Sequence, residues 1–161
     1  MTNSNSVSNT YSFFGDKNMN ISYRPKDPES KEKTDPSKSN FEGVTILIVE
    51  DENSNYLLLE AILKKSKANL LHAWNGKQAI EMLDENPKID ICLMDLKMPI
   101  MDGFEAIEKI RKNGNGKLPI IALTAFSEIF QKENALENGF NMFMYKPLNK
   151  NVLIENIATC L

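Results

Sequence analysis

From Phe41 onward, short apolar runs alternate with amphipathic helical stripes, and this alternation constrains the chain more than any other feature. Val44 to Val49 (VTILIV) is continuous, short and β-branched, as a strand buried on both faces should be. Ile89 to Met94 (IDICLM), Ile120 to Leu123 (IIAL) and Met142 to Tyr145 (MFMY) repeat the pattern, and Asn69 to Ala73 is a weaker version. Helical spacing fills the intervals. Leu58, Ala61 and Ile62 share one face of a helix predicted from about Ser54 to Lys65. Ala79, Ile80 and Leu83 form the next stripe, in a helix opened by Asn75 with Gln78 three residues on, a capping-box arrangement. Ala106, Ile107 and Ile110 form a third. Ile129, Phe130, Lys132 and Glu133 mark a fourth helix, with Gly139 in the place of a C-cap. Leu153, Ile154, Ile157 and Ala158 form the last. Strand followed by helix, five times, implies an α/β domain: a doubly wound parallel sheet with right-handed crossovers and helices on both faces.

Composition changes near residue 40. Residues 25–38, PKDPESKEKTDPSK, contain no apolar side chain and cannot bury enough surface to offset ordering entropy. Residues 1–40 are therefore expected to be a disordered tail or linker, and residues 41–161 the folded domain. Two aromatic patches, Tyr11 to Phe14 and Ile21 to Tyr23, fit either a floppy tail or the remnant of a strand from an upstream domain. Hydrophobic residues at 42% and charged residues at 25% give a soluble globular balance, and a net charge of −3 argues against a nucleic-acid surface. Cys92 and Cys160 fit no metal motif and make no disulfide framework, so both are expected as thiols in a reducing compartment. No apolar stretch approaches the roughly 20 residues of a membrane helix, and the N-terminus lacks the pattern of a signal peptide. The expected location is the cytoplasm, with no membrane contact by this chain.

In such a sheet ligands bind at the carboxyl ends of the strands. The first strand is followed by Glu50 and Asp51, the third by Asp95, the fourth by Thr124 and the fifth by Lys146 and Pro147. Three carboxylates in one pocket all stay ionised only with a cation among them, and a few hard oxygen ligands suit Mg²⁺. Lys146 would add a second positive charge toward phosphoryl oxygens, and the Thr124 hydroxyl a hydrogen bond. Asp95, the central carboxylate, is then placed as a nucleophile toward phosphorus. Each residue alone has a plainer explanation: an Asp after a strand is usually a loop residue or helix cap, Glu50 and Asp51 suit a helix start, and Lys-Pro is a turn. Four separate strand ends carrying what one site needs outweigh those separate explanations.

The segments ILIVEDENSN, LMDLKMPIMDGFEAI, IIALTA and MYKPL closely resemble the receiver domain of response regulators and hybrid histidine kinases, from about Val44 to Leu161. Asp95 to Gly103, Asp-x-x-Met-Pro-x-Met-Asp-Gly, is the most characteristic stretch. The resemblance implies a flavodoxin-like fold of five strands in the order 2-1-3-4-5 with five helices. It implies that Asp95 takes a phosphoryl group from a phosphohistidine on a histidine kinase or histidine phosphotransfer domain. It also implies that Glu50 and Asp51 help hold Mg²⁺, the second directly, with the Asp95 side chain and the backbone carbonyl of Lys97. Thr124 and Lys146 match the hydroxyl and lysine that contact the phosphate. Lys146–Pro147 is expected to be cis, and Pro99 and Gly103 match the loop after the phosphorylation site. Thr124 and Phe143, three residues before the lysine, occupy the switch positions, although Phe143 also reads as ordinary strand packing. Lys97 and Phe126 hold positions that modulate phosphate lifetime in relatives. The polar linker and the ED-ENSNY start look most like a receiver fused behind a histidine kinase, in which case Ile21 to Pro25 would be the last strand of a kinase domain. His72 reads as packing or surface, not as a phosphoryl carrier.

Three other functions fit less well. An aspartyl phosphohydrolase places a second Asp two residues after its nucleophile, where this chain has Lys97. A binding module that ignores the phosphate chemistry would not need the intact set of residues. Flavin binding needs a hydroxyl- and Gly-rich loop where EDENSN is acidic and would repel phosphate. The chain is thus expected to be a phosphoacceptor that modifies only itself, not a turnover enzyme.

Overall fold

The computed structural model describes residues 40–125 and 139–161. The expected tail of residues 1–40 and the helix opening near Ile129 lie outside the described residues, except for Asn40, which is exposed. So does Phe126.

Five parallel strands form one sheet in the order β2-β1-β3-β4-β5. They are β1 (Thr45–Val49), β2 (Asn69–Ala73), β3 (Ile91–Asp95), β4 (Ile120–Ala125) and β5 (Met142–Lys146). Four α-helices are present among the described residues: α1 (Asn53–Leu63), α2 (Gly76–Glu85), α3 (Gly103–Lys112) and α4 (Lys150–Cys160). A short 3₁₀ turn, Lys64–Ser66, closes α1. Among them no helix is long and apolar enough to cross a membrane.

The central strands β1, β3 and β4 are almost wholly apolar because helices cover both faces of the sheet, whereas the edge strands β2 and β5 carry polar residues such as Asn69, His72 and Lys146. Their period-two alternation sorts the side chains into two cores. Leu47, Val49, Cys92, Met94 and Ala122 pack against Ala79, Leu83, Ala106, Ile107 and Ile110 of α2 and α3. Ile46, Ile48, Ile91, Leu93, Ile121 and Leu123 pack against Leu59, Ile62 and Leu63 of α1 and Leu153, Ile154 and Ile157 of α4. Each Leu, Ile, Val or Met among them contributes about 1.5–3 kcal/mol by leaving water.

The structure corrects several local expectations. Helix α1 buries Leu59, Ile62 and Leu63, while Leu58 is half exposed and Ala61 exposed. Ala158 of the last helix is also exposed. Strand β3 starts two residues later than its apolar run, because the Asp90 carboxylate accepts from the backbone N–H of Thr45 at 2.8 Å and stands outside the strand. Asn75 does cap α2 by accepting from the Gln78 N–H, but Gln78 Oε1 accepts from Trp74 N rather than from the cap residue. The reciprocal capping box sits instead at α3, between Asp102 and Glu105.

At the pole opposite the strand carboxyl ends, Arg111 of α3 is a cross-brace. Its guanidinium donates to the carbonyls of Gly139, Asn115 and Leu118 and to Asn141 Oδ1, at 2.7–3.1 Å. Burial lowers its pKa from the ordinary arginine value.

Candidate functional site

Glu50 follows β1 directly, and its N–H donates to the Ala73 carbonyl at 3.0 Å, so the turn leaves the sheet in register. Asp95 is the last residue of β3 and pairs with Leu123 of β4. Lys146 is the last residue of β5 and pairs with Ala125. The chemistry thus sits inside the strand ends, one residue deeper than the apolar runs suggest. Parallel register alone brings residues far apart in sequence to one rim.

Glu50 is fully buried and Asp95 nearly so. The Lys146 ammonium bridges them, at 2.8 Å to Glu50 Oε2 and 2.5 Å to Asp95 Oδ2. The other oxygen of Glu50 accepts from Asn55 Nδ2 at 3.0 Å and from Glu52 N at 3.3 Å. Asp95 Oδ1 accepts from the Lys97 N–H at 3.2 Å. Carboxylate oxygens of Glu50, Asp51 and Asp95 come within 4.8 Å of one another, with Asp51 half exposed. Burial raises the Glu50 pKa, and the bonds from Lys146 and Asn55 only partly offset it. Burial works against the charge of Lys146, yet its bonds to Asp95 and Glu50 outweigh that and raise its pKa.

An open cleft of about 640 Å³ lies over this cluster, lined by Glu50, Asp51, Asn55, Asp95, Lys97 and Lys146 among others. Three carboxylates against one ammonium leave a formal charge of −2, matched by one hard divalent cation with oxygen ligands. The donor set therefore fits Mg²⁺.

Thr124 is fully buried near the end of β4, and its hydroxyl donates to the Ala125 carbonyl at 3.2 Å. Ala125, not Thr124, is among the residues lining the cleft. Phe143 is half-buried on the α2/α3 side, its ring edge-on to Phe140 with centroids 5.4 Å apart. Lys146–Pro147 is cis, as the resemblance implied. Gly103 opens α3 against the end of β3: a Cβ there would lie 2.5 Å from the Asp95 carbonyl oxygen and 2.9 Å from Leu96 Cα. Its N–H donates to the Leu96 carbonyl at 3.0 Å. The loop between them carries Ile100 at φ +70°, a region that β-branched residues rarely occupy.

The chain matches the family model for the response regulator receiver domain over residues 46–158. It belongs to that family. Two relatives are each 37% identical to it: hybrid signal transduction histidine kinase I of Dictyostelium discoideum, over 71% of this chain, and sensor protein EvgS of Escherichia coli, over 73%. The matched region is only 7% and 10% of the length of those proteins. The solved signal receiver domain of a signal transduction histidine kinase from Syntrophus aciditrophicus is 29% identical, with a TM-score of 0.68, covering 73% of this chain and 89% of that one. The receiver domain is thus a two-component signalling module related to those of hybrid histidine kinases.

Among the described residues, the structure brings together Glu50, Asp51, Asp95, Lys97 and Lys146 around one cleft, whereas Thr124 is buried near the end of β4 and is not among the lining residues. Sequence reasoning missed Asn55, which holds the buried Glu50 carboxylate from one turn into α1. An amide side chain one helical turn beyond an acidic pair was its only signal. It also missed the Asp102 cap that seats α3 against the site.

Proposed function

We propose that this receiver domain accepts a phosphoryl group on Asp95 from a phosphohistidine of a partner histidine kinase or histidine phosphotransfer domain, with Mg²⁺ at the cleft. The observation that carries the reading is the Lys146 ammonium tied to both Asp95 and Glu50 in a cleft with Asp51. Glu50, Asp51, the Asp95 side chain and the Lys97 carbonyl would hold the ion. Bound there, it would offset the charge of the incoming phosphoryl oxygens.

Asp95 Oδ attacks phosphorus in line. The new O–P bond forms as the P–N bond to imidazole breaks, and its electron pair returns to the departing nitrogen. Lys146 leaves its carboxylate partner for the phosphoryl oxygens, and Thr124 turns its hydroxyl toward them. Those two movements bias the face that carries Phe143, β5 and the last helix, and so change what the domain binds. Water later cleaves the acyl phosphate. The domain catalyses only its own phosphorylation and dephosphorylation, and it works in the cytoplasm.

Intact mass after incubation with acetyl phosphate tests this. A gain of one phosphoryl mass that requires Mg²⁺ and disappears in Asp95→Asn is the expected outcome. A gain that persists in the folded Asp95→Asn protein refutes the assignment of the site.

A further inference from the structure

His72 is the only histidine of the chain, and the phosphoryl chemistry does not use it. It lies in β2, an edge strand of the sheet. Its ring stacks on Tyr56 of α1, centroids 3.8 Å apart and planes within 7°, and also touches Trp74 at 4.2 Å. Its Nε2 lies 2.9 Å from the backbone carbonyl of Glu50. A carbonyl oxygen only accepts, so Nε2 carries the proton and donates.

We propose that His72 is a positioning residue for the turn that carries Glu50 and Asp51. Strand β2 ends at Ala73, and the β1/β2 ladder ends with the bond from the Glu50 N–H to the Ala73 carbonyl. The side chain of His72 supplies a donor to the Glu50 carbonyl at that break. A buried carbonyl needs such a donor. The Tyr56 stack holds the ring from the other side of the same turn, because Tyr56 lies in the first turn of α1, its N–H donating to the carbonyl of the cap residue Glu52 at 3.0 Å. The acidic turn is therefore clamped between β2 and α1 by one imidazole. Side chains that orient a metal-binding group typically change metal affinity about tenfold or more when removed. His72 acts on Glu50 and Asp51 in that way, and the inference rests on reading those two as Mg²⁺ ligands.

The test is a Mg²⁺ titration of the full chain followed by backbone amide shifts, on wild type, Asp51→Asn, His72→Phe and His72→Gln. Phe keeps a ring for Tyr56 and removes the N–H. Gln removes the ring and returns an N–H at similar reach. The expected result is a Kd raised about tenfold in His72→Phe and restored to within about twofold in His72→Gln. An unchanged Kd in His72→Phe, or equal weakening in both variants, overturns the positioning role while leaving the metal site standing. Should the Phe variant not fold, His72→Leu takes its place. Absence of binding in wild type, or binding that survives Asp51→Asn, would instead sink the metal reading. Amide exchange in the metal-free proteins then decides: faster exchange at residues 50–52 in Phe but not Gln supports the clamp, and equal protection overturns it.

Discussion

Gly103→Ala tests the seating of α3 against the end of β3, the strand that carries Asp95. The added Cβ would fall 2.5 Å from the Asp95 carbonyl oxygen, 2.9 Å from Leu96 Cα and 3.1 Å from Leu96 Cδ2. The two nearest atoms are backbone and cannot rotate away. Ordinary contact begins at 3.4 Å, so the helix start or the strand end must move by about 0.9 Å. Overpacking of this kind costs roughly 1–3 kcal/mol, against a helix-propensity gain of up to about 1 kcal/mol for Ala over Gly. A net loss of about 1–2 kcal/mol lowers the melting temperature by about 4–8 °C in a domain of this size. Thermal unfolding by circular dichroism measures it, with Gly116→Ala as control because nothing lies within 4 Å of a Cβ there. The displaced atoms belong to Asp95 and its neighbour, so acetyl-phosphate labelling should slow as well. A Gly103→Ala protein that melts with wild type, or a control that falls equally, would refute the close-approach reasoning.

Lys146→Met removes the only ammonium paired with the two buried carboxylates among the described residues; amide-shift titration should show tighter Mg²⁺ binding, since the ion no longer shares those ligands. The same variant should be less stable by about 3 kcal/mol near neutral pH, because a buried pair loses one partner. The folded pKa of Lys146 is raised, so its contribution is fully present below about pH 10.5 and fades as pH rises through the folded value; urea midpoints of wild type and variant should converge there. Burial pushes the Cys92 thiol to about 12 and Cys160 is only partly covered, so one alkylating equivalent at pH 8 should label Cys160 alone, read by peptide mapping. Ile100 is 79% exposed and left-handed, and Ile100→Asn should raise stability by about 1 kcal/mol in a denaturant titration.

The sheet was legible because β1 and β3 are buried on both faces and so are apolar without interruption. The juxtaposition of Glu50, Asp95 and Lys146 was legible because parallel register brings the carboxyl ends of β1, β3 and β5 to one rim, where these residues end or directly follow the strands. Helix α1 was misjudged for a geometric reason. Leu57, Leu58 and Leu59 are consecutive, so Leu58-Ala61-Ile62 and Leu59-Ile62-Leu63 are equally good stripes, and only the opposing β1 and α4 side chains choose the second. The start of β3 was misplaced because an apolar run continues through Ile89 while the backbone pairing does not. The roles of Asn55 and His72 were illegible because each acts through a single hydrogen bond to Glu50, from 5 and 22 residues away, and no periodicity marks such a contact.

The ion pair between Glu50 and Lys146 closes a span of 96 residues, and the one from Asp95 closes 51. No local segment of the chain can form either contact ahead of the sheet. During synthesis the acidic turn and β3 are made before the lysine, which follows Asp95 by 51 residues. A chain that has not yet added Lys146 therefore holds Glu50 and Asp95 without the cation that pairs with them in the folded domain. The cleft, with Lys146 between Glu50 and Asp95, is complete only when the fifth strand has joined the sheet.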